Sequence, residues 1–285
     1  MNLLKDKVAV ITGGTRGLGL AIARAFAAEG ASVVVASRSQ ASVKAAVADI
    51  TVRGGKASGL AVNVSELAQV KRLAESAIQT YGKLDIWVNN AGIAGPYGPT
   101  LEFTPEAFYQ VIQTNILGVY HGSRTAMQHF LPQHSGKLIN LLGHGYNGPV
   151  PFQNAYASSK AWIRSFTMAL AEENKNSGVG VYAFNPGMVL TELLTDVDVI
   201  QGSEEKLKNF PFIVRILAKP AAVPAQKVAL LASSATDGKT GLLVSIFSAW
   251  AFPVGALRQG LRKLFKRPAP PLEIRMKSVP PAKDQ

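Results

Sequence analysis

The stretch Thr12-Gly13-Gly14-Thr15-Arg16-Gly17-Leu18-Gly19 restricts what this chain can fold into more than any other. Before it stands an apolar run, Val8-Ala9-Val10-Ile11, which reads as a short buried strand. After it, Leu20 to Glu29 carries apolar residues at helical spacing, and Gly30 is placed to stop the helix. A strand, a glycine turn and a helix in that order make a dinucleotide cradle. Gly13 can take backbone angles closed to other residues, and Gly17 and Gly19 let the chain pass close to a pyrophosphate. The helix N-terminus then turns N–H groups and a positive dipole end toward the phosphates. Taken alone, the same letters also suit an ordinary glycine-rich turn.

The residues beyond Gly30 narrow the choice. Ala31-Ser32-Val33-Val34-Val35-Ala36 reads as a second strand, with Ser37 and Arg38 after it. In a doubly wound sheet the end of that strand faces the adenosine ribose, where an acid bonds the 2′-hydroxyl of NAD. Here the place belongs to Ser37, with Arg38 beside it and Arg16 opposite in the glycine loop. Two guanidinium groups and no carboxylate suit the 2′-phosphate of NADP(H), unless both are simply solvated surface arginines. The net charge of +12 fits an anionic partner of some kind.

Further strand and helix patterns alternate along the chain. Helices are expected from Ser42 to Val52, from Glu66 to Tyr81 and from Ala225 to Leu231. Strands are expected at Ala57–Val62, Leu84–Val88, Lys137–Leu142, Val179–Phe184 and Thr240–Val244. Thr104-Pro105 caps a further helix that should run to about Phe130 and carry Asn115 in mid-course. Asn89-Asn90-Ala91-Gly92 comes after the fourth strand. Tyr156-Ala157-Ser158-Ser159-Lys160 places a phenol and an ammonium four residues apart, on one face of a helix. A free phenol has a pKa near 10; a close ammonium is expected to favour the phenolate and make Tyr156 a usable acid and base near neutral pH.

Together these motifs resemble the classical short-chain dehydrogenase/reductase family over Lys7 to Val244. The resemblance implies that Tyr156 donates a proton to a substrate carbonyl, that Lys160 activates it and bonds the nicotinamide ribose, and that Asn115 holds a water linking Lys160 to solvent. It implies cofactor contacts from Thr12, Gly13, Thr15, Arg16, Gly17, Leu18, Gly19, Ser37 and Arg38. It extends them to Asn63 and Val64 (where the family has an Asp against the adenine), to Asn90, Ala91 and Gly92, and to Tyr156 and Lys160. The run Asn185-Pro186-Gly187-Met188-Val189-Leu190-Thr191 adds Pro186, Gly187, Val189 and Thr191, the last bonding the nicotinamide carboxamide. Family members are mostly dimers or tetramers, which implies a homo-oligomer. Val33 to Ser39, Asp85 to Gly92 and Pro186 to Leu194 are similar to the chlorophyll b reductase branch. That branch also departs from the usual Ser-Ser before the Tyr, and its reaction is NADPH-dependent reduction of a ring formyl group.

One position breaks the pattern. The family places a Ser thirteen residues before the Tyr, and here that residue is Gly143. His144, Tyr146 and Asn147 are the candidates to replace its hydroxyl, so Gly143, His144 and Tyr146 are expected beside the substrate. Losing one such donor costs roughly a hundredfold or more in rate. The alternative is a cofactor-binding scaffold or sensor that lost its chemistry with the serine.

The chain has no cysteine, which excludes disulfides and thiolate metal sites, and its four histidines lack metal-ligand spacing. Met1 to Asp6 leads directly into the first strand without a secretory signal, so a cytoplasmic or plastid-type organelle compartment is expected. Residues 240–257 carry no charge, and from Trp250 onward eight Lys or Arg stand against Glu273 and Asp284. Leu257 to Arg267 interleaves apolar and basic residues, as does a helix lying in a membrane interface or an apolar tail packed on the body. Few aromatics accompany those charges, so nucleic-acid binding is not expected. Pro268, Pro270, Pro271, Pro280 and Pro281 suggest a disordered end.

These readings combine into one α/β domain, residues 1–249, with about seven parallel strands doubly wound by helices on both faces. A substrate lid is expected near 192–220 and an apolar and basic extension over 250–285. The expected activity is NADP(H)-dependent reduction of an aldehyde or ketone on an apolar substrate, with no metal.

Overall fold

The structure, a computed structural model, describes residues 2–246 and 272–282. Its elements run β1 (Val8–Thr12), α1 (Gly17–Ala28), β2 (Ser32–Ser37), α2 (Gln40–Val52), β3 (Lys56–Ala61), α3 (Leu67–Tyr81) and β4 (Ile86–Asn89). Then come α4 (Pro105–Val111), α5 (Gly118–Gln133), β5 (Gly136–Leu141), α6 (Asn154–Glu173) and β6 (Val179–Asn185). The last third holds β7 (Val189–Leu190), α7 (Glu192–Thr195), β8 (Asp196–Ile200), α8 (Phe210–Leu217), β9 (Lys219–Pro220), α9 (Ala222–Ala232), β10 (Leu242–Ser245) and β11 (Arg275–Val279).

Seven strands form one parallel sheet in the order β10-β6-β5-β4-β1-β2-β3. The strands show in the sequence because alternate residues feed opposite faces. In β1, Ala9 and Ile11 join Ile22 and Phe26 of α1 and Val228 of α9 on one side. Val8 and Val10 join Leu73 and Ala77 of α3 and Phe130 of α5 on the other. The chain order reverses between β1 and β4, and a crevice outside the strand ends at such a point is where doubly wound sheets bind ligands.

Two expectations need correction. The helix expected from Thr104 to about Phe130 is not a uniform α-helix: residues Ile112–Leu117 form a π-helical stretch between α4 and α5. Apolar spacing hardly distinguishes the two windings, and such stretches are frequent at functional sites. Arg275–Val279, inside the stretch expected to be disordered, forms β11 and pairs in parallel with β8, five residues against five. Pro280 and Pro281 lie just beyond that strand. Pro268, Pro270, Pro271 and the basic run Leu257 to Arg267 lie outside the described residues. No helix among the described residues is long and apolar enough to cross a membrane.

Candidate active site

The glycine loop is held by side chains from the fourth strand's turn. Thr12 Oγ1 donates to Val88 O and accepts from the backbone N–H groups of Asn90 (3.1 Å) and Ala91 (3.2 Å). Asn90 Nδ2 returns two bonds, to Thr12 O at 3.0 Å and Gly13 O at 3.1 Å. Gly13 has φ +63°, and a Cβ there would stand 2.9 Å from Ala91 Cα. A Cβ on Gly19 would collide with Gly13 O. The loop thus closes on itself only with glycine at these two places. Helix α1 opens at Gly17 with Arg16 as N-cap, no side-chain cap and no acid in its first turn. Uncapped N–H groups behind a tight glycine shelf fit the pyrophosphate of a dinucleotide.

On the adenosine side, Ser37 Oγ donates to Ser39 O, and Ser39 Oγ caps α2 by accepting from Ser42 N at 3.2 Å. Arg38 is exposed. Arg16 has taken a partner the sequence did not suggest: its guanidinium meets Glu192 at 2.7 Å, joining the glycine loop to the start of α7. The methyl of Thr191 also leans on Gly17. Asn63 Oδ1 accepts from Ser65 N in a local turn, leaving one lone pair for an adenine amino group. Val64 is buried, and its carbonyl faces His121 Nδ1 at 3.0 Å.

The reacting end lies where β4, β5 and α6 meet. Asn115, fully buried in the π-helical stretch, spends its amide on three bonds. Oδ1 accepts from Ile93 N (2.9 Å), and Nδ2 donates to Ile93 O and to Ser159 Oγ (3.0 Å each). Ser159 Oγ in turn donates to Tyr156 O at 2.6 Å. Asn115 therefore ties the Gly92–Ile93 turn to the helix that carries Tyr156 and Lys160. Lys160 is buried, donates to Leu141 O at 3.1 Å, and has its Nζ 5.5 Å from the centre of the Tyr156 ring.

The electrostatics differ from the expectation of a near-neutral phenol. Burial pushes Tyr156 up to about 12 and Lys160 down to about 8. The cause is desolvation of each charged form. Burial thus favours the neutral phenol at Tyr156.

The missing serine leaves a filled space. A Cβ on Gly143 would collide with Tyr156 Oη and stand 3.1 Å from Cζ. Of the candidate replacements, Tyr146 is turned elsewhere: its ring lies 5.8 Å from the Arg164 guanidinium. With Asn147 it lines a cavity of about 850 Å³ along α6 residues Ala157, Ala161 and Met168. Those positions lie off the face that carries Tyr156 and Lys160. His144 is exposed.

Sequence reasoning missed an aromatic pair beside β8. Tyr97 and Phe152 stand ring to ring at 5.7 Å, and Lys206 Nζ lies 4.5 Å from the centre of the Phe152 ring. Phe152 has φ +66°, uncommon for an aromatic residue, and its carbonyl accepts from Gly98 N at 2.9 Å. The Gly-Pro-Tyr-Gly-Pro run at 95–99 signals only a turn. A second miss is a buried amide chain. Trp87 Nε1 donates to Asn89 Oδ1, Asn89 Nδ2 to Asn140 Oδ1, and Asn140 Nδ2 to Thr167 Oγ1, all at 2.8–2.9 Å. It locks β4, β5 and α6 together under the site.

A family model described as short chain dehydrogenase matches residues 7–199. A probable chlorophyll(ide) b reductase, chloroplastic, of Arabidopsis thaliana is 34% identical over 265 residues, which are 85% of this chain and 52% of that protein. A 3-ketoacyl-(acyl-carrier-protein) reductase from Brucella melitensis, solved with NADH, superposes with a TM-score of 0.76 at 30% identity, covering 85% of this chain and 97% of that one. An actinorhodin polyketide ketoreductase solved with NADPH has a TM-score of 0.76 at 26% identity, covering 84% and 95%. This chain spans about half the length of the chlorophyll(ide) b reductases it matches in Arabidopsis and rice.

Proposed function

We propose a carbonyl reductase, on the premise that the chain belongs to the short chain dehydrogenase family. Membership and the solved relatives support an oxidoreductase with a nicotinamide cofactor. The cradle of Gly13, Gly17 and Gly19 and the uncapped start of α1 would hold its pyrophosphate, and Arg38 with Arg16 the 2′-phosphate of NADP(H). When bound, a reduced nicotinamide supplies hydride to a carbonyl carbon.

The observation that carries this reading is the pairing of Tyr156 with Lys160, whose Nζ lies 5.5 Å from the centre of the Tyr156 ring. A protonated phenol in that place would give its proton to a carbonyl oxygen, the proton movement that reduction needs. Lys160 then stabilises the phenolate left behind. Asn115 keeps Gly92, Ile93 and α6 in register, and Thr191 and Glu192 close over the glycine loop.

For substrate we infer a large apolar molecule bearing an aldehyde or ketone, a chlorin ring formyl group being the favoured case. Leu190, Leu193 and Phe212 are left exposed along the lid, and the chain matches a probable chlorophyll(ide) b reductase over most of its length. The chloroplastic relatives favour a plastid-type compartment. The test monitors NADPH oxidation with apolar aldehydes and ketones, a formyl-bearing chlorin among them. Tyr156→Phe should lower kcat by roughly a hundredfold or more while leaving NADPH affinity intact. The absent serine at Gly143 favours a second reading, a cofactor-binding scaffold. Tight NADPH binding without turnover of any carbonyl in the panel would select it.

A further inference from the structure

Strand β11 has no part in the chemistry proposed above, yet it is built into the lid. Its register runs from Arg275 opposite Asp196 to Val279 opposite Ile200. Arg275 grips the Asp196 carboxylate with two hydrogen bonds, 2.8 and 3.0 Å. Ser278 Oγ donates to Glu204 Oε1 at 2.9 Å. Gln201 N donates to Val279 O, and Ala282 N to Glu102 O, each at 2.9 Å. The other edge of β8 is held from within the domain: Tyr97 N donates to Asp198 O at 2.8 Å, and Ile200 N to Tyr97 O at 2.9 Å. The lid strand is therefore gripped on both edges, by the loop after β4 and by the end of the chain.

The same strand reaches the reacting groups through packing. Val279 and Ile200 share one apolar cluster with Ile93, Phe103, Val111 and Ala155. Ala155 precedes Tyr156 in α6. Ile93 is the residue whose N–H and C=O are both bonded by Asn115. A two-stranded ribbon is marginal alone, and an exposed ion pair adds little, so the hold on β8 depends on these contacts acting together.

We propose that β11 is a positioning strap for the substrate side of the site. Arg275 fixes its register on Asp196, Val279 sets the seat of Ile200, and Ile200 in turn seats the Ala155–Tyr156 segment and the Ile93 turn. The strap governs lid order and substrate fit and leaves cofactor binding alone. The part concerning Tyr156 rests on the reductase reading; the part concerning the lid does not.

The experiment uses the full chain with Arg275→Glu, the charge swap Arg275→Glu with Asp196→Arg, and Val279→Ala. Three quantities are read: hydrogen exchange of residues 196–201, NADPH affinity, and KM and kcat for a reduced carbonyl. Arg275→Glu and Val279→Ala should each speed exchange across 196–201 by roughly three- to tenfold and raise KM by a similar factor. NADPH affinity should stay within about twofold, and the charge swap should restore exchange and KM. Unchanged exchange in Arg275→Glu, failure of the swap to restore it, or NADPH affinity falling in step with KM would each overturn the proposal. Exchange and cofactor binding need no turnover. A wild-type chain that reduces no carbonyl would sink the reductase reading, while the exchange data still decide the strap.

Discussion

The hydroxyl of Tyr156 occupies the space in which a side chain on Gly143 would begin. Gly143 and the Tyr156 hydroxyl thus share one space. With no Cβ at 143, the phenol settles against the backbone of the β5 loop, and Lys160 Cε fills in behind, 3.4 Å from the same point. Putting a side chain back is not a repair, because the space it needs has been taken.

Gly143→Ser is therefore expected to lower activity. The new Cβ has to displace Tyr156, and overpacking a well-filled site costs about 1–3 kcal/mol. A steady-state assay should give a kcat at least tenfold below wild type, with the same loss in Gly143→Ala. An increase in Gly143→Ser alone would mean that the phenol yields readily and the serine hydroxyl does act as the second donor. His144→Ala, run alongside, reads whether the exposed imidazole supplies that donor.

The pH dependence comes from the two buried groups. Reduction needs the phenol protonated, which burial secures up to about pH 12, and the Lys160 ammonium charged, which holds only below about pH 8. The reductive kcat should fall above pH 8, and Lys160→Met should remove that limb along with most of the activity. Stability moves the other way. Lys160 titrates lower in the folded chain than its ordinary 10.5, so between pH 8 and 10.5 the unfolded state binds more protons and stability rises with pH. Lys160→Met should raise Tm at pH 7 and give a shrinking advantage as pH climbs toward 10.5, measurable by thermal unfolding across that range.

The sheet was legible because Val8 to Ile11, Val33 to Ala36 and their counterparts alternate between two buried faces, and period carries that information. The glycine loop was legible for a different reason: Gly13 and Gly19 are places where a Cβ meets backbone. Three features were not. The π-helical turn around Asn115 leaves the apolar spacing almost unchanged. The pairing of Arg275–Val279 with Asp196–Ile200 spans 79 residues, and the strand, MKS between Arg and Val, has no apolar signature of its own. The close approach of Tyr156 to Gly143 belongs to packing between residues thirteen apart, which residue spacing does not report.

Asn115→Ala removes a buried amide that makes three hydrogen bonds, one of them fully buried and two partly buried. It strands Ile93 N and O, both partly buried. The expected cost is about 3 kcal/mol, or a Tm lower by roughly 6–12 °C for a domain of this size. If the amide only positions the turn and α6, kcat should fall with that loosening and recover in part at lower temperature. A kcat loss that persists unchanged at about 10 °C would point instead to a direct part in proton movement.

Arg16 stands between two acids that it cannot fully serve at once, the Glu192 carboxylate now 2.7 Å away and the 2′-phosphate proposed for the cofactor. Both ends of the existing pair are exposed, 73% and 52%, so the pair itself is weak and easily screened. Binding of a 2′-phosphate would then draw Arg16 from the lid at little cost. Glu192→Gln should tighten NADPH by roughly two- to fivefold and leave NADH unchanged, because only the phosphorylated cofactor gains the freed guanidinium. Arg38→Ala should weaken NADPH by about tenfold or more and again spare NADH. Fluorescence titrations of both cofactors at low and moderate salt would read these ratios. Equal losses for NADH and NADPH in Arg38→Ala would show that the arginine serves the fold and not the 2′-phosphate.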